Sequence, residues 1–299
     1  MGLVTPVPSE QVDERLAEVH RRHAEPGGDE VESVYVGGRG MVDPSEARDQ
    51  VERFGICLVR VDGDVHGVGD FELPFPLHSI SKVFTYGLAL EDHGRDRVLE
   101  RVGVKPSGDA FNALEFDQRN NRPHNPMVNA GALATTDLIK GDTVDEREQR
   151  VVDVQRRYSA NDQLTVDGET LEAERGSADR NRATAYLMRS EGMLDGDVEQ
   201  TLQRERVRDV LSVMYTCGMY DFAGEWAYEI GIPAKSGVSG GILAVVPGKG
   251  GIGVYSPELD RYGNSVRGTR VCAEIANQLG LHLFASEDED SLLRQTAEG

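Results

Sequence analysis

The chain has 299 residues, 38% of them hydrophobic and 28% charged, enough for one large core or two lobes of one domain and too mixed for a disordered tract. Its formal charge is −20, with five lysines against 27 arginines, so it repels nucleic acid and anionic membranes, and neither is expected as a partner. No run of 18 apolar residues is present to cross a membrane, and the opening MGLVTPVPSEQVDERLAEVHRRH has no apolar stretch of the signal-peptide kind. Cys57, Cys217 and Cys272 are odd in number and lack a CxxC spacing, which argues against a disulfide scaffold or zinc knuckle and fits a reducing cytoplasm. High acidity with few lysines is also the balance of a salt-adapted protein, whose self-repulsion dense salt would screen; the alternative is an ordinary acidic bacterial protein.

Residues 9–24 predict an amphipathic helix with Val12, Leu16 and Val19 inward, stopped by Pro26, Gly27 and Gly28. His20 and His23 lie three apart on it, a spacing that can bind a metal, but the charged segment predicts a solvated face for them. Residues 54–61 and 64–70, joined by Asp62-Gly63, predict a hairpin. Residues 78–93 predict a helix closed by Gly94, and 127–139, 180–191 and 203–216 predict further helices, the last burying Val207, Val210, Leu211 and Met214. Residues 240–246 and 251–256 flank Pro247-Gly248-Lys249-Gly250 and predict a second hairpin; a helix over 266–279 follows, then a polar tail that frays. Strands come from both ends and helices from the middle. The fold class is therefore α+β, one sheet assembled from the two chain ends with a helical lobe inserted between them.

Five segments could carry chemistry. Ser79 and Lys82 begin a helix three residues apart and share one face, where a lysine with a pKa lowered by burial can take the serine proton. Amides at the helix start could hold an oxyanion, and the adjacent Ser81 points around the helix. Lys235-Ser236-Gly237 precedes an apolar strand; with the upstream S-x-x-K it makes the pattern of penicillin-recognising serine enzymes, although the S-D-N element is absent. Asn125 can cap a helix starting at Pro126. Asn129 falls in the predicted helix interior, where asparagine is disfavoured, so it serves either a functional hydrogen bond or a bond to core backbone. On composition alone, residues 174–181, ERGSADRN, are a charged turn and residues 217–221, CGMYD, a helix end with Gly218 as the stop.

In this order these segments resemble the bacterial and mitochondrial glutaminases. The matching text is LHSISKVF at 77–84, KPSGDAFN at 105–112, PHNPMVNAGA at 123–132, ERGSADRN at 174–181, CGMYDFAGEWAYEIGIPAKSGVSGGILAVVP at 217–247 and SPELDRYGNSVRG at 256–268. The resemblance implies a fold like the β-lactamases and penicillin-binding proteins over residues 31–285, with a sheet lobe of 50–76 and 228–285 and a helical lobe of 77–227. An N-terminal helical segment, 1–30, and a polar tail, 286–299, flank it. It implies a Ser–Lys enzyme that hydrolyses L-glutamine without metal or cofactor, in the cytoplasm, as a homo-oligomer, dimer or tetramer. Carried over by position, Ser79 is the nucleophile, Lys82 its base and Tyr220 the proton relay to ammonia. The amides of Ser79 and Val238 form the oxyanion hole. Asn129, Glu174 and Asn181 hold the amino-acid end of the substrate, and Tyr35 fits a family tyrosine. The sequence departs from the family at Gly37–Gly40, at His78 in place of a glutamine, and after Leu202, where about 40 family residues are missing, a tyrosine near the reacting amide among them. The lobe should be shortened there, which leaves a working glutaminase or an impaired glutamine-binding relative as the two readings.

Overall fold

The computed structural model describes residues 8–106, 116–168 and 207–284, with positions 170, 172, 183–185, 187, 188, 191 and 193 between them. The helices are α1 (Ser9–Arg22), α2 (Arg48–Val51), α3 (Ser81–Arg101), α4 (Asn129–Asp137), α5 (Val144–Ser159), α6 (Val207–Cys217), α7 (Ala223–Glu229) and α8 (Val266–Gln278). The strands are β1 (Ser33–Tyr35), β2 (Met41–Val42), β3 (Gly55–Arg60), β4 (Val65–Gly69), β5 (Ala234–Ser236), β6 (Gly241–Val246), β7 (Gly250–Tyr255) and β8 (Glu258–Leu259).

Five strands form an antiparallel sheet in the order β4-β3-β7-β6-β5. β3, from the N-terminal side, pairs with β7, from the C-terminal side, with Gly55 opposite Tyr255. The sheet is thus assembled from both chain ends, and both predicted hairpins are present, with Val59 opposite Val65 and Val246 opposite Gly250. The period of two along each strand gives the sheet two apolar faces. Ile56, Ile242, Ala244, Ile252 and Val254 pack with Leu16 and Val19 of α1, Trp226 of α7, and Val271 and Ile275 of α8. Val245 faces the other way, onto the helical core of Val83, Tyr86, Leu90, Met127, Ala134, Val154 and Met214. A second sheet, β2-β1-β8, carries no signal in the sequence, because strands of two or three residues are too short for alternation to register.

Three expectations need correction. His20 and His23 are not on a solvated face: His20 stacks on Phe54 with ring centroids 4.5 Å apart, and His23 meets Glu274 at 2.7 Å. Both partners arrive from distant sequence, which local charge pattern cannot register. The stop at Gly94, by contrast, is present: at φ 82° and ψ 159° it breaks the helix, and a second helical stretch follows at once to Arg101, with Val98 buried beyond the kink. Pro126 does not start α4. Asn125 Oδ1 accepts from the amides of Met127 and Val128, at 3.0 and 3.3 Å, and so closes a separate turn ahead of the helix. Asn129 is consequently the first residue of α4, not an interior one.

The start of the predicted 203–216 helix and the polar tail lie outside the described residues; within 180–191 the described positions 183–185, 187 and 188 are helical. Between α3, α5, α6 and the sheet lies an apolar cavity of about 510 Å³, lined among others by Phe75, Val83, Gly87, Tyr158 and Leu211. Among the described residues no helix is long and apolar enough to cross a membrane, and the three cysteines are free thiols.

Candidate active site

Ser79 lies in the single 3-10 turn His78–Ile80 that runs directly into α3, so Lys82 follows one turn later as the second residue of the helix. Ser81 is occupied elsewhere: its hydroxyl donates to the His78 carbonyl at 2.6 Å. The Ser79 hydroxyl is hydrogen-bonded to the Tyr220 phenol, and the Val238 amide donates to the same phenol oxygen. That oxygen donates in turn to the Ser236 carbonyl at 3.0 Å. The predicted nucleophile, proton relay and oxyanion amide therefore converge on one point.

Two glycines allow this convergence. A Cβ at Gly237 would lie 2.8 Å from the Leu77 carbonyl, so only glycine lets the Lys-Ser-Gly turn approach the loop that carries Ser79. A Cβ at Gly218 would collide with the Ala234 carbonyl, where the end of α6 crosses β5.

Lys82 Nζ donates to Asn129 Oδ1 at 2.7 Å and to the Met127 carbonyl at 3.1 Å. Part of its side chain stays accessible, yet burial of the amino group pushes its pKa down to about 7. Neither acceptor carries a charge, so neither offsets the desolvation of an ammonium. Such a lysine is half deprotonated near neutrality and can serve as a base. Burial pushes the Tyr220 phenol up, which keeps its proton in place for donation. Tyr220 also sits at φ 54° and His78 at φ 43°, so both residues beside the reacting groups have left-handed backbone. Non-glycine residues hold that conformation only where the surroundings enforce it.

Tyr35 is buried and meets the His78 ring edge-on at 4.9 Å, which places it beside the Ser79 turn. Of the eight predicted site residues, Ser79, Tyr220 and Val238 are joined by hydrogen bonds, Lys82 and Asn129 by another one turn along, and Tyr35 packs on His78, the neighbour of Ser79. Glu174 and Asn181 lie outside the described residues. Lys235 and Asp260 also lie against Tyr220, with no role implied by the sequence resemblance. Lys235 Nζ lies 4.2 Å from the Tyr220 ring centroid. The Asp260 carboxyl, itself pushed up by burial, helps raise the Tyr220 phenol. The Lys-Ser-Gly motif was the available signal for Lys235; nothing in local sequence marks Asp260.

An antiparallel sheet built from both chain ends, an inserted helical lobe and a serine at the start of its first long helix define an enzyme of the β-lactamase-like fold. The glutaminase family model matches residues 44–204 and 199–284. A glutaminase of Nostoc sp. is 50% identical over 278 aligned positions, covering 81% of this chain and 83% of its own. A solved probable glutaminase, ybaS, superposes with a TM-score of 0.82 at 33% identity, covering 93% of this chain and 99% of its own. The solved protein Mglu in its glutamate form superposes at 0.80 with 36% identity, covering 94% of this chain and 71% of its own. The chain belongs to the glutaminase family, and its reaction is the hydrolysis of L-glutamine to L-glutamate and ammonia.

Proposed function

We propose that this hydrolysis runs through an acyl-enzyme on Ser79. The observation that carries the reading is the meeting of the Ser79 hydroxyl, the Tyr220 phenol and the Val238 amide at one point, on the helix that carries a lysine with a pKa of about 7. Neutral Lys82 takes the Ser79 proton, and Oγ attacks the side-chain amide carbon of glutamine. The amides of Ser79 and Val238 hold the oxyanion. The C–N bond breaks as Tyr220 passes a proton to the departing nitrogen, which leaves as ammonia. Water then cleaves the ester, releasing glutamate and restoring Ser79. Asn129, Glu174 and Asn181 hold the amino-acid end of the substrate, the carboxylate of Glu174 pairing with its ammonium, and Tyr35 lines the same end. Ser79→Ala should abolish glutamine hydrolysis, whereas Ser81→Ala should leave it largely intact. Equal activity of wild type and Ser79→Ala rules the reading out.

A second reading, of impaired turnover, is favoured by one feature. The family match breaks into two pieces that overlap at 199–204. The 278 aligned positions of the Nostoc relative also exceed the 81% of this chain they take in, about 242 of its 299 residues, so that relative carries some 36 positions without a counterpart here. A lost stretch beside the amide pocket admits water and weakens the hold on the oxyanion, and losing one well-placed donor costs about 100- to 1000-fold in turnover. Selective glutamine binding with turnover below family norms is the expected outcome. Calorimetric titration of Ser79→Ala with glutamine, beside a wild-type turnover assay, measures both halves; full family-level turnover would make the gap silent. We also infer a cytoplasmic, salt-adapted homo-oligomer, which light scattering across salt concentrations would test.

A further inference from the structure

The 510 Å³ cavity has no part in the reaction above, and none of Ser79, Lys82 and Tyr220 lines it. Its volume falls within the roughly 300–1,000 Å³ of sites that take small organic ligands. Cys57 of β3 and Gly253 of β7 stand opposite each other in the sheet and give it a floor of small residues. Two aromatic pairs wall it. Phe75 and Tyr255 stack beside the sheet with ring centroids 4.6 Å apart, and Phe84 of α3 meets Tyr158 of α5 at 6.0 Å. Tyr158 is 48% exposed, so one end of the cavity lies at the surface.

Two glycines of the wall provide room rather than backbone freedom. At Gly55, on the same wall, a Cβ would collide with the Phe71 amide, so glycine is required there. No such reason holds at Gly87 or Gly253. A Cβ at Gly87 meets nothing nearer than 3.8 Å, one at Gly253 nothing nearer than 3.9 Å, and neither residue has positive φ. Glycine weakens the interior of a helix or a strand, so both elements lose local stability while the space stays open.

Gln155 of α5 supplies a polar end. It lines the cavity at 8% exposure, and its carboxamide has no hydrogen-bond partner among the described residues. The hydroxyls beside it are engaged: Tyr158 donates to Glu91 at 3.0 Å and Ser159 to the Gln155 carbonyl at 2.8 Å. A buried carboxamide without a partner is costly, and a ligand that hydrogen-bonds to it removes that cost. No lining residue carries a charge, since burial pushes the Cys57 thiol up and keeps it neutral. A cation finds no carboxylate there, and the −20 of the chain repels anions.

We propose that this cavity is a second binding site, for an uncharged planar ring molecule that exchanges a hydrogen bond with the Gln155 carboxamide while its rings lie over the Cys57–Gly253 floor. Leu77 and Ile80, on either side of Ser79, also line it, so the site adjoins the turn that carries the nucleophile.

The probe is β-naphthol, titrated into the full chain and followed by calorimetry. One molecule per chain should bind, with a Kd on the order of 100 μM or tighter; no saturable binding overturns the proposal. Naphthalene, which lacks the hydroxyl, should bind about five- to tenfold more weakly, and Gln155→Leu should remove that difference. Equal affinity of the two probes for wild type overturns the assignment to Gln155, and naphthoate binding as tightly as β-naphthol overturns the uncharged class. Gly87→Leu fills the space from the helix side and should weaken β-naphthol about tenfold or more. Gly253→Val does so from the sheet and serves where leucine in α3 does not fold; unchanged affinity in a folded variant of either kind overturns the site. Position is read separately by alkylation of Cys57 with N-ethylmaleimide and peptide mapping. Bound β-naphthol should slow that reaction, and an unprotected Cys57 overturns the site. In Ser79→Ala, saturating glutamine should leave β-naphthol binding unchanged, whereas displacement would put the probe in the substrate pocket and overturn the proposal.

Discussion

Arg267 and Lys82 are both cations drawn into the protein, but their surroundings treat the charge differently. Arg267 is wholly buried in α8. Its guanidinium pairs with Glu258 at 3.1 Å, donates to Ser256 Oγ at 2.8 Å and to the carbonyls of Ala24, Val51 and Arg53, and lies over the Phe54 ring at 4.9 Å. Every side of the fork is engaged, so the charge stays and joins the end of α1, the β3 entrance and the small sheet. Lys82 has two neutral acceptors and no carboxylate partner among the described residues. One face of the helix that bears it, at Val83, Phe84 and Gly87, borders the 510 Å³ cavity. Both groups meet the cost of leaving water. Arg267 is compensated by an anion, whereas Lys82 is compensated by giving up its proton. A buried cation is structural where the fold saturates it and chemically useful where the fold withholds the countercharge.

The strongest way to break this comparison is to take the anion from Arg267. Glu258→Ala leaves a guanidinium that cannot deprotonate and also frees the Gly27 amide, which donates to both Glu258 oxygens, the closer at 3.1 Å. A loss of about 3–5 kcal/mol is expected, read as a lowered urea midpoint. A loss below about 1 kcal/mol would mean that the neutral acceptors suffice and that the contrast with Lys82 lies elsewhere.

On the lysine side the sign is set by linkage. An unfolded lysine titrates near pH 10.4, about three units above the folded value of about 7. Between those values the unfolded chain binds more protons, so the Lys82 contribution to stability rises with pH from about 7 to about 10 and is least favourable below 7. Lys82→Met removes that dependence. The variant should melt above wild type at pH 6 and lose the advantage by pH 10. Parallel melting curves for the two proteins would show that Lys82 is not strained by charging. The same titration places the acidic limb of wild-type turnover near pH 7, since activity falls as Lys82 gains its proton.

Much of this architecture was legible in the sequence. The hairpins announced themselves through Asp62-Gly63 and Pro247-Gly248, and the S-x-x-K and Lys-Ser-Gly pair marked the two walls of the site, because these signals are local. What stayed hidden depends on distant partners. The depressed pKa of Lys82 requires knowing that, among the described residues, its hydrogen-bond acceptors are the uncharged Asn129 amide and Met127 carbonyl. The Arg267 network draws on residues 24, 51, 53, 256 and 258, and no window of sequence holds them all. Gly94 shows what a local signal does carry: it breaks the helix at φ 82°, whereas the helical stretch beyond it, with Val98 buried, rests on packing.

Salt separates the two kinds of charge more gently. The surface carries the −20 and is screened in molar potassium chloride, whereas enclosed groups are screened much less. The thermal midpoint should therefore rise with salt while the acidic limb of activity stays near pH 7. A flat or falling midpoint would count against salt adaptation, and a limb that moves with salt would place the Lys82 amino group in contact with solvent.

The smallest effect concerns the space behind Lys82. Gly87 lies inside α3 with ordinary helical backbone, and a Cβ there would meet only Val210 at 3.8 Å and the Tyr158 hydroxyl at 3.9 Å, both normal van der Waals distances. Gly87→Ala should stabilise the protein by about 1 kcal/mol, partly by restricting the unfolded chain and partly by placing a methyl group in the cavity. Because the methyl points away from the Ser79 turn, turnover should be unchanged and the acidic limb should remain near pH 7. A loss of stability would show that the cavity wall is already tight, and the contrast between a fully packed Arg267 and a loosely backed Lys82 would then fail. A gain in stability with a shifted limb would show instead that the packing of this helix, and not the absence of a carboxylate alone, sets the proton affinity of Lys82.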